Sequence, residues 1–249
     1  MVELWIGLAG GILIGATGAG IGLLVTPLLI LAGYRPAVAI GTALGVAAVS
    51  KIAGAIVHHQ LGHWPGRRAW ILMAGGVAGA GFAWWIVRAH HILAGPHADL
   101  WLRRTVAVAL LVAALAMLLT RSDGNSRRTI EGGSNPAALL LTGLGLAPLE
   151  ALTSVGSGTL LGPVLASTTA WNVPQLAAVG NLFGWMVGVL SAVLYFQLGD
   201  FNAPLFAKVL VGLLPGLFAG ALLSRHINRR WYVRILGVMS ACLAARLLL

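Results

Sequence analysis

Eight long apolar runs divide the chain, at about 4–33, 36–61, 69–88, 101–120, 137–171, 174–198, 204–224 and 231–249. All are rich in Leu, Ala, Val and Gly, with no strict alternation of polar and apolar positions. A helix that crosses a bilayer needs about 20 apolar residues, so this pattern predicts a bundle of spanning helices. Turn residues or charges separate the runs: Tyr34-Arg35-Pro36, Gly62-His63-Trp64-Pro65, the stretches 89–100 and 121–136, Gly199-Asp200, and 225–230. The stretch 121–136 is the most polar in the chain and predicts a linker between two halves.

Those halves carry the same landmarks in the same order. Gly20-Ile21-Gly22 precedes Pro27, as Gly156-Ser157-Gly158 precedes Pro163. Pro36 with Gly41-Thr42 answers Pro174 with Gly180-Asn181, Gln60-Leu61-Gly62 answers Gln197-Leu198-Gly199, and Gly75 with Gly79 answers Gly212 with Gly216. The order predicts an internal repeat, a mark of transporters: residues 1–120, a linker over 121–136, and residues 137–249.

Charge placement favours inversion of the second half. Leaving aside Arg35 and Lys51, inversion gathers Arg67, Arg68, Arg121, Arg127, Arg128, Arg225, Arg229, Arg230 and Arg234 on one side of the membrane. Arg88, Arg103, Arg104, Lys208 and Arg246 fall on the other, whereas parallel halves would share the charges evenly. Cytoplasmic ends of membrane helices carry the excess of Lys and Arg. Inversion also demands an odd number of crossings per half. The run 4–33, interrupted by glycines, is too short for two full crossings of a ~30 Å core at 1.5 Å per residue. It therefore predicts two half-length helices that enter and return, with Gly18–Gly22 at the tip and Ser154–Gly158 at the tip of the second such hairpin. The expected fold is an all-α polytopic membrane protein of two inverted repeats, each a Gly-broken re-entrant hairpin plus about three transmembrane helices.

Composition narrows the function classes. Of 249 residues, 59% are hydrophobic and 9% charged, against about 45–50% and 25% in soluble domains. That excludes an ordinary soluble enzyme. The net charge of +10 lies in short gaps between apolar runs, not on a continuous basic face, which argues against nucleic acid as a partner. The single Cys242 excludes a disulfide framework. The start Met-Val-Glu lacks a basic n-region, so no cleaved signal peptide is expected.

The chemistry is expected at the glycine tips. Glycine lets backbone amides approach a ligand, and the helix that follows turns its positive end to the same point. Two such ends from opposed repeats would cradle an anion. Close helix packing is the plain alternative for any single glycine, but two matched clusters with the same spacing to Pro favour a site at Gly20, Gly22, Gly156, Ser157, Gly158 and Thr159, with Thr17 as a further hydroxyl. Thr42 and Asn181 answer each other and offer hydrogen bonds, or else join helices. Lys51 and Glu150 are the charged residues well inside apolar runs. Burying either alone costs at least about 2.5–3.5 kcal/mol. They could neutralise one another, or Lys51 could meet the substrate while Glu150 carries a coupling proton. The plain readings are a snorkelling Lys51 and a Glu150 near water at a helix end. His58 could relay a proton or form a polar helix end. Most of the nine tryptophans lie near run ends, as an interfacial belt does.

Gly18-Ala19-Gly20-Ile21-Gly22 with Pro27 and Gly41-Thr42, repeated as Ser154-Val155-Gly156-Ser157-Gly158 with Pro163 and Gly180-Asn181, resembles the TauE/SafE-type sulfite exporter (sulfite and organosulfonate permease) family over nearly the whole chain. That family's pattern is a repeated Gly-x-Gly-Gly-Gly, four residues and a Pro, then Val-Gly-Thr/Ser. Ile21, Ser154 and Ser157 stand at glycine positions here, and Asn181 at the Thr/Ser position. The resemblance implies a multi-pass permease of the cell inner membrane. The expectation is a secondary transporter, not an enzyme, that exports a small sulfur-containing anion by alternating access. Such export from a negative interior is helped by the potential at about 2.3 kcal/mol per charge per 100 mV. No cofactor or metal is expected, and the partners are the small anion and the lipid bilayer, with a homodimer left open. The rival readings are an anion channel and a membrane-embedded metal enzyme using His58 and His59.

Overall fold

The computed structural model describes residues 1–17, 20–64, 66–89, 95, 97–119, 135–223 and 229–249, without the side chains of Thr17 and 229–232. Residues 121–134 of the linker expected over 121–136, Thr17 as a ligand, Gly18, and Arg121, Arg127, Arg128, Arg225, Arg229 and Arg230 of the charge split thus lie outside the described residues or side chains.

The fold is all-α. In the first half, α1 (Val2–Thr17) and α2 (Val25–Leu31) flank a 3-10 turn at Ile21–Leu23, followed by α3 (Pro36–Gln60), α4 (Arg68–Ala89) and α5 (Ala98–Leu119). In the second, α6 (Pro136–Thr153) and α7 (Leu161–Thr168) precede α8 (Val173–Gln197), α9 (Ala203–Leu223) and α10 (Arg229–Leu248). Among the described residues six helices are long and apolar enough to cross a membrane: α3, α4, α5, α6, α8 and α9. The molecule is a multi-pass membrane protein.

Local chemistry sets the boundaries. Proline occupies the first turn of α3, α6 and α8, where its missing N–H has no intrahelical partner to lose. Asn172 and Gln175 close a reciprocal capping box at the start of α8. The apolar runs 4–33 and 137–171 each break as expected. Gly20 is extended, with φ −70° and ψ 148°, and Ser154 ends α6 in the left-handed region at φ +60°. The second break follows Thr153. It leaves α6 with 18 residues, about 27 Å of helix, so α6 is long enough to span, where a half-length helix was expected.

The helices pair crosswise between halves. α1 lies on α9, α6 on α4, α3 on α8 and α5 on α10. Gly7, Gly11 and Gly15 meet the α9 backbone at Val209, Leu213 and Leu217, while Gly212, Gly216 and Gly220 meet α1 at Leu4, Leu8 and Ile12. The numbering rises together, so α1 and α9 run parallel. Gly75 and Gly79 grip α6 at Leu140 and Leu144 in the same manner. The matched glycine pairs of the two halves thus do one job: each lets a middle helix hold the first helix of the other half at backbone distance. The α3–α8 contact runs the other way, with Gly41 against Tyr195, Gly188 against Leu44 and Ala48, and Gly54 against Asn181.

One end of the bundle is tied by polar contacts. Tyr34 Oη donates to Glu3 Oε1 at 2.7 Å, so the chain that leaves at α1 returns to the same level before α3. Arg35 reaches Asp99 Oδ2 at 3.4 Å and Asp200 Oδ1 at 3.3 Å, joining the starts of α3 and α5 to the α8–α9 turn. At the opposite end His58 and His63 approach through their Nδ1 atoms at 3.1 Å.

Candidate functional site

The two breaks meet. A Cβ on Gly20 would stand 3.2 Å from Gly158 Cα, and one on Gly22 would collide with the Ser154 carbonyl and hydroxyl. The Thr26 and Ser154 hydroxyls are in hydrogen-bond contact across the halves. Glycine is required here for a physical reason, the approach of one main chain to another, rather than for a turn.

Beside this junction lies a buried ion pair. Lys51 projects from α3 and Glu150 from the last turn of α6, with Lys51 Nζ 3.3 Å from Glu150 Oε1 and side-chain exposures of 11% and 1%. Ser157, in the second break, completes the cluster. Its amide donates to Glu150 Oε2 at 2.9 Å, its hydroxyl donates to Glu150 Oε1 at 2.5 Å, and Lys51 Nζ donates to that same hydroxyl. Mutual neutralisation is therefore what the two charges do. Neither plain reading holds: Lys51 does not snorkel to an interface, and Glu150 is not near water.

Three glycines make room for the cluster. A Cβ on Gly156 would stand 2.8 Å from Glu150 Cβ and 3.2 Å from Oε2; one on Gly184 would strike Lys51 Nζ and the Ser157 hydroxyl. One on Gly54, a turn beyond Lys51, would stand 2.7 Å from Asn181 Nδ2. Asn181 thus lies on the α3–α8 seam next to the pair. Gly54 and Gly184 escaped the sequence reading. The available signal was their spacing, each three positions from a polar residue of its own helix.

Four amides in and just after the second tip differ from expectation. Those of Thr159, Leu160 and Leu161 bond the Gly156 carbonyl, and that of Ser157 bonds Glu150, so they are not open to a solute. The helices also start later than the tips, at Val25 and Leu161. In the second half the cause is that the break is coiled into tight turns around the Glu150 carboxylate. Thr42 and Thr159 are buried, and their hydroxyls have no hydrogen-bond partner among the described residues. His58 bonds His63 and sits two helical turns from Lys51, about 10 Å along the axis. Among the described residues no group of three or more His, Cys, Asp or Glu is placed to hold a metal.

Broken helices meeting around a neutralised ion pair, inside a multi-spanning α-helical bundle, are the architecture of a membrane transporter interior. The chain belongs to the Sulfite exporter TauE/SafE family, which it matches over residues 4–247. Among curated proteins it is similar to Probable membrane transporter protein YjnA of Bacillus subtilis (strain 168), with 27% identity over 231 residues and 90% of each chain covered. No solved structure matches it significantly. Membership makes the protein a membrane transporter and not an enzyme, which sets aside the metal-enzyme reading.

Proposed function

We propose that the protein exports a small sulfur-containing oxyanion, such as sulfite or an organosulfonate, across the cell inner membrane by alternating access. The observation that carries this reading is Lys51, a cation withdrawn from both lipid and water and aimed at the junction of two broken helices. A buried ammonium with hydroxyl and amide donors around it suits one oxyanion. In this reading Gly20, Gly22, Gly156 and Gly158 form the moving contact between the halves. Lys51, Ser157, Thr159, Asn181 and Thr42 supply donors as the site opens, and Glu150, with His58 nearer the surface, handles protons.

The repeats are read as inverted units over 1–120 and 137–249. Support comes from α3 and α8, corresponding helices that run antiparallel in contact. A two-fold axis along the membrane normal would make corresponding helices parallel, whereas one in the membrane plane reverses them. The Tyr34–Glu3 bond supports a re-entrant α1–α2 hairpin, since it joins the hairpin's two ends. The end with Arg67 and Arg68 is assigned to the cytoplasm, because under inversion the sequence gathers more Lys and Arg at that end than at the other.

The test is efflux of labelled sulfite and organosulfonates from proteoliposomes holding the purified chain. Saturable efflux with counterflow, reduced at least about tenfold in Lys51→Ala, a cost of about 1.4 kcal/mol, is expected. Unitary currents in place of counterflow, or wild-type flux from Lys51→Ala, would refute the reading.

A further inference from the structure

We propose that the Glu150 carboxylate is a tethered stand-in for the cargo, and that transport exchanges it for one monovalent oxyanion accompanied by one proton. This rests on the transport reading above and adds the class of anion and what moves with it.

The cluster is already an occupied anion site. Both oxygens of one carboxylate are read separately: Oε2 by the Ser157 amide at 2.9 Å, and Oε1 by the Ser157 hydroxyl at 2.5 Å and Lys51 Nζ at 3.3 Å. Nothing in helix geometry calls for this. Glu150 reaches forward seven residues, past the left-handed Ser154, to an amide beyond the end of its own helix. A Cβ at Gly156 would crowd the same carboxylate. A main-chain amide, a hydroxyl and an ammonium converging on two oxygens of one atom define a recognition pattern. Carboxylates, sulfonates and hydrogensulfite carry such a pair of oxygens; a halide does not.

Charge fixes the valence and the proton. At rest, Lys51 and Glu150 sum to zero. An anion arriving while Glu150 stays ionised would leave a net buried negative charge, which a low-dielectric interior opposes strongly. If Glu150 takes a proton as it leaves the donors, Lys51 faces the anion and the site is neutral again. The protonated carboxyl gains an O–H that can itself donate to the anion. A dianion would leave one charge uncompensated. The proton comes from the aqueous side to which the site is open and is returned when the anion departs on the other side. Both crossing forms carry no net charge.

The surroundings leave Lys51 as the partner that sets this balance. Of the helices packed on α6, α4 carries Arg68 and Arg88 near its ends, and α5 carries Asp99, Arg103 and Arg104 in its first turns. α3 adds His58 and His59 two turns beyond Lys51, and α7 and α8 carry no charged residue. None of these contacts Glu150. Export then follows the product of anion and proton concentrations and draws nothing from the membrane potential.

Methanesulfonate is the discriminating probe, since it stays ionised throughout the assay range and does not cross lipid as its acid. Proteoliposomes of the full chain are given a pH gradient or, separately, a potassium diffusion potential. Wild type is expected to accumulate methanesulfonate on the acid-to-alkaline gradient, towards the one-to-one limit of about tenfold per pH unit, and to ignore the potential. Glu150→Gln is expected to lose the response to pH and gain one to potential. Methanesulfonate flux in wild type that follows potential and not pH overturns the proposal while leaving anion transport intact. Movement of sulfite without methanesulfonate overturns the substrate class, and movement of neither overturns the transport reading itself. Should Glu150→Gln fail to fold, the wild-type measurement alone decides. Glu150→Ala offers an independent reading: acetate is expected to raise its melting temperature and not that of wild type, and indifference of Glu150→Ala to acetate counts against the proposal.

Discussion

Gly20 of the first half lies against Gly158 of the second, main chain to main chain, so that a Cβ at position 20 would stand 3.2 Å from the Gly158 Cα. Gly22 is closer still to Ser154. The two breaks act as one joint, and its tolerance for added atoms can be measured.

Gly22→Ala is expected to lower the thermal midpoint of purified protein markedly. Overpacking costs typically about 1–3 kcal/mol, and here the added methyl strikes backbone that cannot rotate away. Gly145→Ala is the contrast, because nothing lies within 4 Å of a Cβ at that helical position. It is expected to stabilise slightly, by about 0.5–1 kcal/mol. Equal melting temperatures for the two variants would contradict the joint.

Lys51→Met leaves Glu150 buried without its cation. Breaking a buried pair from one side costs about 3–5 kcal/mol, whereas replacing both partners can be nearly neutral. The double variant Lys51→Met with Glu150→Gln is therefore expected to recover most of the loss. A double-mutant cycle of unfolding free energies checks this, and additive losses would mean the two residues do not act as a pair.

Much of this was legible in the sequence. The breaks at Gly20 and Ser154 could be placed because matched glycines interrupt runs too long for one helix and too short for two. Lys51 and Glu150 could be named as partners because a lone charge deep in an apolar run needs neutralising. The direction of the Ser157 amide could not, since it depends on the left-handed turn at Ser154 and serine does not advertise a positive φ. Nor could the tie between Arg35 and Asp200, which form part of the polar loops in sequence and become neighbours only when α3 lies along α8.

Ser154 gives a third prediction. A residue with φ +60° carries a steric cost that glycine avoids, and a β-branched side chain raises it. Ser154→Val is expected to melt well below Ser154→Gly, although both lose the hydroxyl contact with Thr26. Indistinguishable melting curves would remove backbone conformation as the reason.

Asp200 gives a pH dependence. Burial pushes its carboxyl above the ordinary aspartate value of 3.8; Arg35 draws it back less strongly, and Asp99 adds to the rise. The folded chain thus holds this proton longer than the unfolded chain does. The stability it contributes is present in acid and is lost as pH rises from 3.8 through the raised value. Asp200→Asn is expected to flatten that part of the melting-temperature profile, and profiles that coincide at every pH would argue against it.

The parallel embrace of α1 by α9 bears on how the protein is made. α1 has 16 residues, about 24 Å of helix, short of a ~30 Å hydrocarbon core. Its main partner, α9, starts only at Ala203, so at about 5–20 residues per second α1 waits on the order of ten seconds or more. α1 therefore leaves the ribosome long before the helix that holds it, and a nascent chain released before α9 would hold α1 as an unclaimed hydrophobic stub.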